Sequence, residues 1–225
     1  QTDNRIYVNL YLQNSVTVDL KGERIALEQV TDFPRNGKVL LKINSASSKP
    51  FEMALRIPGF ARNEVLPGNL YAFADNIKPE YSIKINGKKA DFRLEKGYAI
   101  IAKEWKTGDE IELVLPLETR RVKADERIKA DNGKTALMRG PMIYCAEWPE
   151  MQDKHVLNLV LPTSSKLETE FKPEMLGGIT TISGAGKSLK KTEKGKIEET
   201  PVEITAIPYF AWANRGAGEM AVWLP

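Results

Sequence analysis

The sequence predicts an all-β protein of two consecutive antiparallel β-sandwich domains, jelly-roll-like in layout, and three observations carry that expectation. Apolar residues alternate with polar ones at a period of two, the signature of half-buried strands. Few windows of helical length carry an apolar stripe. Glycine-centred turn signals separate the runs, as antiparallel sheets joined by hairpins require.

Taken in order, the elements read as follows. Phe51, Met53, Leu55 and Ile57 point one way while Glu52, Ala54 and Arg56 point the other. Asn63–Glu80 contains Pro67-Gly68, Asp75-Asn76 and Pro79, so it reads as a long ordered loop and a candidate contact surface. Ile111, Leu113 and Leu115 alternate with Glu110, Glu112 and Val114 and close the first sandwich. A boundary near Glu118 divides the chain into 1–118 and 119–225, with a charged stretch, Arg120–Asp131, ahead of a new strand series from Thr135. Asn36-Gly37, Asn86-Gly87 and Asn132-Gly133 are each flanked by strand-like runs, and Asn-Gly favours the type I′ hairpin because both residues tolerate positive φ. Arg139-Gly140-Pro141 interrupts an apolar run and predicts an edge, bend or bulge, since proline lacks a ladder donor. Val202, Ile204, Ala206 and Pro208 then alternate with Glu203, Thr205 and Ile207.

Composition narrows the functional classes. A net charge of +3 over 225 residues does not argue for nucleic acid. The lysines at 187, 190, 191, 194 and 196 have no interleaved aromatics and read as a solvated hairpin or loop rather than a binding patch. No apolar run is long enough to span a membrane, and the start at Gln1 looks like that of an excised or processed piece. A single cysteine excludes an internal disulfide framework.

The candidates for chemistry are few. One histidine, His155, and one cysteine, Cys145, cannot make a His/Cys zinc site without several carboxylates, so they read as a surface residue and a buried thiol. Glu147 and Glu150 flank Trp148-Pro149 and are the most tempting acid/base pair, against a polar turn as the plainer account. Ser183–Ser188 superficially resembles a phosphate loop but has Thr181 where the pattern needs glycine. Trp212, Asn214 and Arg215, beside Tyr209 and Phe210, could stack on and hydrogen-bond a sugar. The competing account packs Tyr209 and Ala211 to one side and Phe210 and Trp212 to the other.

Several segments, in order, resemble one enzyme family. Thr135–Trp148 contains Arg139-Gly-Pro-Met-Ile-Tyr-Cys-Ala-Glu147, similar to the "RGPLVYCLE" element of bacterial glycoside hydrolase family 127, the β-L-arabinofuranosidase-type enzymes. Arg5–Tyr11, Leu55–Phe60 (with Phe60 where tryptophan is usual), Ile83–Gly87, Gly97-Tyr98, Trp105–Asp109 and Ile111–Pro116 resemble successive family strands. Ala206–Gly216 and Met220–Leu224 resemble its C-terminal strands; Glu150–Thr200 matches least and resembles a module found in a subset of such proteins.

The resemblance implies two sandwiches behind an N-terminal (α/α)₆ catalytic barrel. It puts the acid/base glutamate and zinc-binding cysteines in that barrel, so no catalytic residue and no cofactor is expected in this chain. It further implies a parent glycoside hydrolase acting on plant-type glycans, with a periplasmic or secreted setting. The expected role here is support of the barrel, with an independent carbohydrate-binding module or a carboxylate-pair hydrolase as alternatives.

Overall fold

The computed structural model describes residues 4–225; residues 1–3, at the head of the expected first sandwich, lie outside the described residues. The chain is all-β and divides into two units. One comprises the chain up to Asn63 together with Lys78–Leu117, the other Glu64–Ile77 together with Glu118–Pro225. The strands, in chain order, begin β1 (Arg5–Val8), β2 (Asn14–Leu20), β3 (Glu23–Thr31), β4 (Lys38–Ser45), β5 (Phe51–Arg56) and β6 (Tyr71–Phe73). Next come β7 (Ser82–Ile85), β8 (Lys88–Lys89), β9 (Arg93–Glu95), β10 (Tyr98–Lys103), β11 (Glu110–Val114), β12 (Thr119–Ala124) and β13 (Ala136–Arg139). The series ends with β14 (Met142–Glu147), β15 (Leu159–Val160), β16 (Leu167–Lys172), β17 (Ile179–Lys191), β18 (Ile197–Pro208) and β19 (Met220–Ala221).

In the first unit a sheet ordered β1-β5-β10-β9 accompanies a sheet ordered β2-β3-β4-β11-β7-β8. Pairing is antiparallel except for β1 against β5, which run parallel. The alternation read from the sequence sets the core: Val39, Leu41, Ile43, Met53, Leu55, Ile111 and Leu113 are fully buried. Burying each aliphatic side chain is worth about 1.5–3 kcal/mol. Trp105 adds a large buried ring, and its indole N–H donates to the Phe51 carbonyl at 3.0 Å.

The three Asn-Gly signals take three different forms. Asn86-Gly87 joins β7 to β8 with both φ values positive, 49° and 79°, as a type I′ turn needs. Gly133 is positive but Asn132 is not, and the pair lies in a longer loop between β12 and β13. Asn36-Gly37 is not a type I′ turn, because neither residue has positive φ. Gly37 is required for space: a Cβ there would fall 1.9 Å from the Leu115 carbonyl oxygen. Lys21-Gly22 and Lys96-Gly97, by contrast, have both φ values positive and join β2 to β3 and β9 to β10.

The second unit is built on one hydrogen-bonded path, β15-β17-β18-β14-β13-β12-β6, with β16 paired to β17 and β19 to β14. One face of its central strands carries Leu137, Tyr144, Ala146, Ile182, Ile204 and Ala206 in a large apolar cluster. The opposite face carries a smaller cluster of Cys145, Ile179, Ile207 and Ala211. Gly140 at φ 55° followed by Pro141 forms a tight hairpin turn between β13 and β14, the bend among the three expected forms. Both strands lie inside the sheet path. The five lysines between 187 and 196 are exposed on the β17–β18 hairpin.

Two expectations about the middle of the chain need correction. Asn63–Glu80 is not loop throughout: Tyr71–Phe73 pairs with β12, with Phe73 opposite Val122 and Tyr71 opposite Ala124. The charged stretch from Arg120 begins inside a strand, because Arg120 turns inward. It is only 4% exposed, bonds to Asp75 and lies 3.6 Å from the Phe73 ring centroid.

Candidate functional site

The end of β14 and the segment after β18 bring the candidate residues of the second unit together. β14 delivers Glu147, and a single 3₁₀ turn, Trp148–Glu150, follows it. Pro208 ends β18 and a second such turn, Tyr209–Ala211, leads into Trp212–Gly216. Pairing of Ala146 with Ala206 holds these two exits side by side.

Glu147 is completely buried. Its Oε1 accepts the Ala213 backbone N–H at 3.1 Å, and its Oε2 accepts from an amino nitrogen of Arg215. Glu150 receives both Arg215 amino nitrogens, one at 2.7 Å. The two carboxylates raise the Arg215 guanidinium pKa further above its ordinary value, Glu150 contributing most. A glycosidase needs two carboxyl groups facing a scissile bond across a gap. Glu147 and Glu150 instead close on one guanidinium, and Glu147 has no exposure to substrate. The plainer account, a polar turn around Trp148-Pro149, has its turn at Trp148–Glu150, with Glu147 buried just ahead of it.

Around this ion cluster the aromatic segment faces solvent. Tyr209 is 46%, Phe210 69% and Trp212 38% exposed, whereas Ala211 is buried. The two-sided packing read from alternation therefore fails, because the residues lie on a 3₁₀ turn and not a strand. Tyr209 and Trp212 are nearly parallel, with ring centroids 5.9 Å apart and planes 19° apart. Asn214 and Arg215 both make hydrogen bonds within the chain. The Asn214 amide donates to the Ala211 and Trp212 carbonyls, and Arg215 is held by the two glutamates. Trp148 packs so closely on the following segment that a Cβ at Gly218 would fall 2.0 Å from the indole.

The other sequence candidates lie apart from this cluster in role. Cys145 is 1% exposed, and burial, with the charges of Glu147 and Glu150, pushes its thiol up to about 12. The thiolate nucleophile and ligand form is therefore suppressed at neutral pH. His155 is exposed, with Nδ1 3.2 Å from Glu219 Oε1. Glu219 was not among the sequence candidates. It accepts the Val156 and Leu157 backbone N–H groups, and these bonds, with His155, hold its carboxyl down at about 2. Among the described residues no group of three or more His, Cys, Asp or Glu converges as a metal site would require.

Two grooves mark the same unit. One, of about 620 Å³, runs between Glu150–Asp153 and Thr200–Thr205; the other, of about 550 Å³, lies beside His155 and Glu219. Neither is lined by a phenylalanine, tyrosine or tryptophan ring to floor a sugar.

Comparison with known proteins gives the family. Residues 5–117 match the family model described as the β-L-arabinofuranosidase, GH127 middle domain, and residues 119–225 match the glycoside hydrolase family 127 C-terminal domain. A curated relative, the non-reducing end β-L-arabinofuranosidase of Bifidobacterium longum subsp. longum, is 28% identical over 220 residues, covering 88% of this chain and 30% of its own length. A solved GH127 β-arabinofuranosidase superposes with a TM-score of 0.94 at 43% identity, over 99% of this chain and 35% of that one. The GH127 β-L-arabinofuranosidase of Geobacillus stearothermophilus T6 does so with a TM-score of 0.85 at 33% identity, over 100% of this chain and 34% of that one. The chain thus spans about a third of the length of these relatives. By the match of both models along nearly its whole length, the chain belongs to glycoside hydrolase family 127, of which it carries the middle and C-terminal domains.

Proposed function

We propose that this chain is the non-catalytic β-sandwich region of a larger β-L-arabinofuranosidase-like hydrolase, and that it supports an N-terminal (α/α)₆ catalytic barrel acting on plant-type glycans. The observation that carries the reading is the closure of Glu147 and Glu150 on Arg215. The carboxylate pair that the sequence made most tempting for glycosidase work is used as an ion cluster, with one member fully buried. The length of the relatives supports the presence of a further portion in the parent. Hydrolysis of p-nitrophenyl arabinofuranosides by this chain and by its full-length parent, with zinc supplied, tests the reading. Activity in the parent alone is expected; turnover by the isolated chain would overturn it.

The exposed, nearly parallel rings of Tyr209 and Trp212 favour a second reading, an independent carbohydrate-binding module. Here Trp212 carries the contact by stacking, because Asn214 and Arg215 are engaged internally. On this reading the isolated chain is retarded in affinity gels containing arabinan, and Trp212→Ala abolishes the retardation without lowering Tm. Equal mobility with and without arabinan dismisses the module.

A further inference from the structure

In the first unit one sheet has six strands and the other four, and β2 is an edge strand of the wider sheet. β2 pairs with β3 so that Val18 lies opposite Ile25, Val16 opposite Leu27 and Asn14 opposite Gln29. Residues opposite one another in an antiparallel ladder share a face. On β3 that face is closed, with Ile25, Leu27 and Gln29 all buried. On β2 it opens progressively: Leu20 is buried, Val18 half-buried and Val16 45% exposed.

The segment leading into β2 also exposes apolar side chains. Leu10 is 71% and Leu12 58% exposed, while Tyr11 between them is 4% exposed. The Tyr11 hydroxyl donates to the Arg56 carbonyl, and its ring meets Phe33 edge-on. Asn9 accepts from the Tyr98 hydroxyl, and Asn14 donates to the Leu12 carbonyl. The backbone is therefore pinned on both sides of the leucines, which are held out to solvent. No charged residue occurs from Asn9 to Val18, although 28% of the chain is charged. Apolar side chains, absent charge and an open strand edge describe an interface core and, left uncovered, an association hazard.

We propose that Leu10, Leu12 and Val16 form the seat on which the catalytic portion of the parent docks, an inference that rests on the function proposed above. The family region matched from residue 5 is a middle domain, and the relatives are about three times as long as this chain. A domain preceding the middle domain would be covalently tethered to it, and a short flexible tether gives an effective concentration of order millimolar. A small aliphatic contact then suffices for stable docking. The strip lacks rings for stacking a saccharide, which sets it apart from the Tyr209–Trp212 segment.

Amide hydrogen exchange of the isolated chain and of the full-length parent tests the proposal. Exchange across residues 9–16 is expected to slow at least tenfold in the parent, and Leu10→Asp with Leu12→Asp to remove that slowing while leaving the Tm of the isolated chain unchanged. Slowing confined to other surfaces would overturn the seat and keep the supporting role. No slowing anywhere would overturn both. Concentration-dependent slowing at 9–16 in the isolated chain would assign the strip to a second copy and overturn the proposal.

Discussion

Glu147 sits at the end of a strand, fully buried, and its negative charge is balanced by an arginine 68 residues away in the chain. Removing one partner of a buried pair leaves the other desolvated and unpaired, at a cost of about 3–5 kcal/mol. Arg215→Met is therefore expected to lower unfolding free energy by about 3 kcal/mol, the low end because Arg215 retains partial exposure. Denaturant titration checks this, and adding Glu147→Gln should restore part of the loss if the unpaired charge is the cause. Nothing in the local pattern Glu147–Glu150 announces this pairing. The sequence displays two acids around a tryptophan, and only the return of the chain after β18 supplies their cation. Glu219 is a second residue of this kind. Its carboxyl titrates near 2 in the folded protein against an ordinary 4.5, so the stability it confers is complete above 4.5 and drains away as pH falls toward 2. Glu219→Gln should flatten the fall of Tm between those pH values while leaving its slope at neutral pH unchanged.

Elements were legible where one face alone decided the pattern. Phe51, Met53, Leu55 and Ile57 are buried as their alternation predicts, because β5 lies inside its sheet with its apolar face on the core. Turns were less legible, since dipeptide chemistry states a tolerance for positive φ and not its use. Asn86-Gly87 uses it; Gly37 instead provides close approach to Leu115; Lys21-Gly22 and Lys96-Gly97 make the same type of turn without an asparagine. The two uses of glycine predict different mutational behaviour. Gly87, at φ 79° with open space around it, should lose about 1–2 kcal/mol on substitution by Ala and much less by Asn, which tolerates the left-handed region. At Gly37 any Cβ meets a backbone oxygen that cannot swing aside, so Ala and Asn alike should cost about 3 kcal/mol, the upper end for overpacking. Thermal denaturation of the four variants separates strain from collision: rescue by Asn at 37 would show that the close approach relaxes.

At the scale of the whole molecule, the two folding units are not contiguous in sequence. The segment Glu64–Ile77 belongs with Glu118–Pro225, although a loop reading kept it with the strands on either side. Its proline, glycine and Asp-Asn content signals interruption, and only three residues, Tyr71–Phe73, form a strand, too few for a periodic signal. Yet this segment completes the second unit. Phe73 and Ala72 pair with β12, Asp75 receives the buried Arg120, Asn69 receives Arg127, and Tyr71 stacks on Trp223 with centroids 5.7 Å apart. A fragment cut at the sequence boundary, 119–225, would expose the edge of β12 and leave Arg120 without Asp75. We expect it to unfold at a Tm well below that of the second unit in the intact chain, and a synthetic peptide of residues 64–77 to bind it and raise its Tm. The same peptide with Asp75→Asn should bind at least tenfold more weakly. A fragment as stable as the intact chain, and indifferent to the peptide, would mean that the boundary near Glu118 divides the physics as cleanly as it divides the sequence.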